Sequence, residues 1–183
     1  MTNFFTLIIA LIGTSINTYC QTVKYFFIPA TSTTEILYSM GTATFKDYYL
    51  SETVVINNKN YSVRVRDYSW GEKDTAYFRL GADGFYSCSK SGFETMEIPN
   101  NPINGRKWIA ADSSWCFEII NIKATLVTPE KRYYNLIEVV ASKVTSGNDR
   151  QYDQYHNFYA SEIGYVGSMV NGKLLNYLKT IHQ

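Results

Sequence analysis

After the first twenty residues the chain shows stretches in which apolar and polar side chains alternate with a two-residue period, punctuated by turn residues such as Asn, Gly and Asp. A two-residue period sends successive side chains to opposite faces of an extended strand, so it argues for half-buried β-strands and against amphipathic helices. The clearest example is Tyr61-Ser62-Val63-Arg64-Val65-Arg66. Tyr61, Val63 and Val65 share one face, and Ser62, Arg64 and Arg66 share the other, which reads as a strand with one wet side. Phe45 to Ile56 precedes it across Asn57-Asn58-Lys59-Asn60. Asn tolerates positive φ, so these two segments read as a long hairpin.

Three further hairpins follow from the same logic. Tyr77 to Leu80 faces Phe85 to Cys88 across Gly81-Ala82-Asp83-Gly84. Ile119 to Val127 faces Tyr134 to Ser142 across Thr128-Pro129-Glu130-Lys131. Tyr165 to Val170 faces Leu174 to Leu178 across Asn171-Gly172-Lys173. Thr95 to Ile98 adds a short strand ahead of Pro99, which has no N–H for a ladder. Gln151 to Tyr159 is ambiguous: Tyr152, Tyr155 and Tyr159 have helical spacing, yet the aromatic density suits a strand, and extended structure is expected from about Tyr155. No internal repeat or interdomain linker breaks the pattern. The expectation is one all-β, mainly antiparallel domain over residues 21–183, a single strongly curved sheet or half-barrel of about nine or ten strands with little helix.

The first twenty residues read as a targeting segment. Phe4 to Ile12 is almost wholly apolar, no charged side chain occurs before Lys24, and Thr18 and Cys20 stand at −3 and −1 of a cut before Gln21. The run is shorter than the roughly 20 residues needed to cross a bilayer, and it suits the apolar region of a signal peptide. Met1-Thr2-Asn3 lacks the usual Lys or Arg, which leaves a buried strand or a lipid anchor at Cys20 as alternative readings. The reading adopted is export, to a periplasmic or extracellular location, without a membrane-spanning segment. Removal of Cys20 would leave Cys88 and Cys116. They either pair in an oxidising compartment, worth about 3 kcal/mol in the chain-entropy model, or stay as two buried thiols.

Charge and motif content narrow the function. Seventeen basic residues against sixteen acidic ones leave a formal charge of +1, without the basic excess that nucleic-acid binding requires. With two histidines and no CxxC, no tetrahedral metal set is legible, and no phosphate loop or cofactor motif is present. A hydrolase would have to use His156, with Asp149, Asp153 and Glu162 nearby in sequence, or a carboxylate pair such as Glu94 with Glu97 or Asp67 with Glu72. Cys116 sits between Trp115 and Phe117, an apolar setting that opposes thiolate formation. No catalytic residue is assigned.

The informative feature is the aromatic load of 16 Tyr, 10 Phe and 3 Trp. Adjacent pairs such as Tyr48-Tyr49 and Tyr133-Tyr134 must point to opposite faces, so more aromatic surface exists than one core face uses. Trp70, Trp108, Tyr134 and Tyr165 are the candidate ligand-contacting residues.

The order of these features resembles the TapB-like proteins, exported bacterial β-proteins that look similar in pattern to the LolA-like half-barrels handling lipids and lipoproteins. The resemblance rests on Phe27-Ile28-Pro29, on Asn58-Lys59-Asn60-Tyr61 and on Tyr77-Phe78-Arg79 with Asp83-Gly84-Phe85-Tyr86. It continues through Gly105-Arg106-Lys107-Trp108 to Phe158-Tyr159-Ala160-Ser161-Glu162-Ile163-Gly164-Tyr165-Val166, and spans Phe27 to Leu178. The sequence departs from the family pattern at Glu130-Lys131, where relatives tend to carry a glycine. The resemblance implies a curved antiparallel sheet open on one side and carries no catalytic residues. The expected function is a non-enzymatic exported binding module that receives an apolar or amphipathic molecule in a concave face with few charges. The alternatives are a protein-interaction or envelope-structural module working through a tyrosine face or sheet edge, and a hydrolase using His156.

Overall fold

The computed structural model describes Tyr25, residues 35–144 and residues 154–182. The expected signal segment, Cys20, Tyr152, Asp149 and Asp153 lie outside the described residues. The first six strands are β1 (Glu35–Met40), β2 (Ala43–Ile56), β3 (Lys59–Tyr68), β4 (Lys73–Leu80), β5 (Gly84–Cys88) and β6 (Glu94–Pro99). The second six are β7 (Lys107–Ile109), β8 (Trp115–Val127), β9 (Arg132–Lys143), β10 (Tyr155–Ala160), β11 (Gly164–Val170) and β12 (Lys173–His182). All twelve join one antiparallel sheet in the order β6-β5-β4-β3-β2-β1-β12-β11-β10-β9-β8-β7. No helix occurs among the described residues, so none is long and apolar enough to cross a membrane.

Each turn has a local cause. Asn57 (φ 49°) and Asn58 (φ 60°) are both left-handed, the backbone a two-residue turn needs to match strand twist. Asn171 (φ 51°) and Gly172 (φ 72°) repeat the device between β11 and β12. The turn between β8 and β9 manages without glycine. There the Thr128 hydroxyl donates to the Lys131 carbonyl at 2.9 Å and accepts the Lys131 N–H at 3.1 Å. Glu130-Lys131 is thus accommodated by a side-chain-closed turn.

Two strands exceed the expected count. Glu35–Met40 pairs with both β2 and β12, and the three-residue Lys107–Ile109 pairs with β8. The first of these joins the two halves of the chain: β12 returns to β1, and every other ladder links sequence neighbours. The seam of the nearly closed, barrel-like sheet therefore falls in mid-sequence, between β6 and β7. Side chains bridge it. Trp108 Nε1 donates to the Met96 carbonyl at 2.7 Å, and the Ala111 N–H donates to Thr95 Oγ1 at 3.2 Å. Trp108 also stacks on Phe117 of β8.

Two apolar clusters form the core. One gathers Tyr38, Phe45, Leu126, Leu136, Phe158 and Val166, and the other gathers Tyr49, Phe78, Phe85, Ile119, Ile137 and Tyr159. The paired tyrosines split as alternation requires: Tyr133 is buried while Tyr134 is 63% exposed. Gly167 lets β11 and β12 approach closely. A Cβ there would lie 2.6 Å from the Asn176 carbonyl oxygen, whose backbone cannot yield.

Candidate functional site

Members of both apolar clusters line a cavity of about 600 Å³ inside the sheet, within the size range of small-molecule sites. Its aromatic wall is Tyr49, Phe78, Phe85, Tyr159 and Tyr165. Phe78 and Phe85 stack in parallel at 5.2 Å between centroids, and Tyr159 meets Tyr165 edge-on at 5.8 Å. Lys90, Ser91 and Asp112 also border the cavity and are exposed, which puts its mouth beside the β5–β6 and β7–β8 turns.

The cavity is not sparing of charge, contrary to the sequence-based expectation. Asp47, Arg64, Arg66 and Glu97 all line it. Register explains the first three: on adjacent β2 and β3, Asp47 faces Arg66 and Tyr49 faces Arg64. The face of β3 expected to be wet is turned into the barrel, while Tyr61 and Val63 are buried on the opposite face. Arg66 grips Asp47 with both ends of its fork, Nε to Oδ1 at 2.7 Å and Nη2 to Oδ2 at 2.8 Å. Burial works against the Arg66 charge, but the hydrogen bonds and charge of Asp47 outweigh it and raise the guanidinium pKa further. Arg66 also lies over the Phe45 ring at 4.1 Å.

Arg64 is held less completely. Its Nη1 stands 3.6 Å from Asp47 Oδ2, beyond a good hydrogen bond, and its guanidinium covers the Phe78 ring at 4.8 Å. Its buried Nε has no acceptor among the described residues. Burial pushes Tyr38 and Tyr159 well above the usual tyrosine pKa, raises Tyr165, and raises Tyr49 to about 12. These phenols therefore stay protonated and can donate. Tyr165 already donates to Asn176 Oδ1 at 2.6 Å, and Tyr38 to the Tyr165 carbonyl at 3.2 Å.

Of the four aromatic candidates, Tyr165 lines the cavity. Trp108 serves the β6–β7 seam instead, because β7 is an edge strand whose indole N–H finds a carbonyl across the gap. Trp70 is 48% exposed on the turn after β3, stacked on Tyr68, and Tyr134 points outward from β9. Neither reaches the cavity. Cys88 and Cys116 are both free thiols, on β5 and β8, which are not neighbours in the sheet.

Among the described residues, the hydrolytic pairs expected from the sequence do not assemble. His156 Nδ1 contacts Glu138 Oε1 at 2.7 Å, on the face of β10 opposite Asn157, which borders the cavity. No serine, threonine or cysteine is hydrogen-bonded to that ring among the described residues. Glu94 and Glu97 separate: Glu97 faces the cavity, whereas Glu94 is tied to Arg79, Lys59 and Tyr61. Asp67 pairs with Lys73 rather than with Glu72. Among the described residues no group of three or more His, Cys, Asp or Glu gathers as a metal site.

The fold and site define a class: a twelve-stranded antiparallel β-protein, nearly closed and barrel-like, enclosing an aromatic cavity with a buried Asp–Arg cluster. No family model, curated protein or solved structure matches the chain.

Proposed function

We propose that this is an exported, non-enzymatic binding protein that holds an amphipathic molecule in the cavity. The observation that carries this reading is the cavity itself: about 600 Å³, walled by Tyr49, Phe78, Phe85 and Tyr159, with an incompletely paired Arg64 in the lining. A wholly apolar ligand would leave that guanidinium buried with its Nε unpaired, at a desolvation cost. An amphipathic one suits both the rings and the charges. The apolar run at the N-terminus and the resemblance to exported TapB-like proteins support export.

Native mass spectrometry of protein purified from its exporting host tests the reading. A mass excess that disappears on denaturation, and is absent from an Ala76→Trp variant that fills the cavity, is the expected result. A bare protein that also fails to bind any member of an amphiphile panel would overturn it.

A further inference from the structure

We infer that the head group received in this cavity is a single carboxylate, gripped by the Arg64 guanidinium; this rests on the binding function proposed above. Arg66 occupies both Asp47 oxygens in a bidentate pair, which leaves Arg64 only a 3.6 Å approach to Oδ2. The Nε–H of Arg64 is buried and has no acceptor among the described residues. A guanidinium that lines the cavity without a full partner suits a carboxylate, whose two oxygens match the parallel donors of its fork. Phe78 lies over one face of the guanidinium at 4.8 Å, which favours approach of a ligand at the edge.

The surrounding charges set the valence. Asp47, Glu97, Arg66 and the protonated Tyr49 border the same cavity as Arg64. One negative charge on a ligand completes Arg64. A second would face Asp47 and Glu97, while Arg66 is already committed and Lys90 stands at the exposed mouth. A monoanionic carboxylate is therefore favoured over a dianionic phosphate monoester, and the aromatic wall of Tyr49, Phe78, Phe85 and Tyr159 receives the apolar body.

Calorimetric titration of the full chain with dodecanoate, dodecanol, dodecyl phosphate and dodecyltrimethylammonium discriminates these cases. Dodecanoate should bind at least tenfold more tightly than the other three. In Arg64→Met, checked for folding by circular dichroism, dodecanoate should fall to the affinity of dodecanol while dodecanol binding persists. Arg64→Lys should keep only part of the preference, since an ammonium lacks the fork. Equal binding of dodecanoate and dodecanol, or a preference that survives in Arg64→Met, would overturn the carboxylate assignment and leave the cavity reading standing. Failure of all four to bind would overturn both.

Discussion

Replacing Asp47 with Asn removes a carboxylate held between two guanidiniums inside the barrel. The Asp47 side chain is 5% exposed, and those of Arg64 and Arg66 are 17% and 21% exposed. Removing one partner of a buried ion pair costs about 3–5 kcal/mol, because the remaining charge is left uncompensated. Asn retains one acceptor for Arg66 and the arginines keep some water, so the lower end, about 3 kcal/mol, is expected. For a domain of this size that corresponds to a fall in Tm of roughly 6–12 °C. Urea and thermal unfolding followed by circular dichroism would measure it. Raising NaCl to 0.5 M should change the difference little, because screening acts weakly on buried charges. Replacing all three residues, Asp47→Leu with Arg64→Met and Arg66→Met, should recover most of the loss, since no member of the cluster is then left as an uncompensated charge. A loss under about 1 kcal/mol, the range of exposed pairs, would show that the cluster is solvated and would refute the reasoning.

Three further outcomes are expected. Hydrogen bonding from Arg79, opposed by burial, holds the Glu94 carboxyl at about 2, below the ordinary 4.5. A depressed folded-state pKa means stabilisation that is full above about 4.5 and lost as pH falls toward 2. Glu94→Gln should thus lower stability by about 1–3 kcal/mol at pH 7, with the gap from wild type closing over that window; a gap independent of pH would contradict this. Gly167→Ala should destabilise by at least about 1–3 kcal/mol, read from the urea midpoint, because its Cβ meets the Asn176 carbonyl at 2.6 Å and Leu126 Cδ2 at 3.1 Å. Trp108→Phe keeps the ring stack but drops the bond to Met96, costing about 1 kcal/mol. Amide exchange should then quicken in β6 and β7 and stay unchanged in the β8–β9 ladder, whereas a uniform rise would argue against a local seam.

Local chemistry made much of the fold legible. Two-residue alternation specified extended strands, and Asn57-Asn58 and Asn171-Gly172 marked their hairpins, because positive φ and side-chain alternation depend on near neighbours alone. The split of Tyr133 from Tyr134 followed from the same rule. The expectation of extended structure from Tyr155 matches β10. The three residues Lys107–Ile109 carry too few alternations to stand out, and in Glu35–Met40 the successive apolar residues Ile36-Leu37-Tyr38 hide the two-residue period.

The site was legible only in part. Arg64 and Arg66 were visible on one face of a Val-rich strand, but alternation divides a strand into two faces without saying which one the barrel encloses. That choice depends on the β2–β3 register, which brings Asp47 opposite Arg66 and Tyr49 opposite Arg64. The same dependence on distant partners explains why Trp108 and Tyr165, alike as aromatic candidates, divided between a seam and a cavity. The sequence by itself determined strands, turns and the all-β class, because those are settled within a few residues of chain. Only the tertiary structure decided the interior charge, the mid-sequence seam and the cavity, because each is made by strands far apart in the chain whose registers bring their side chains together.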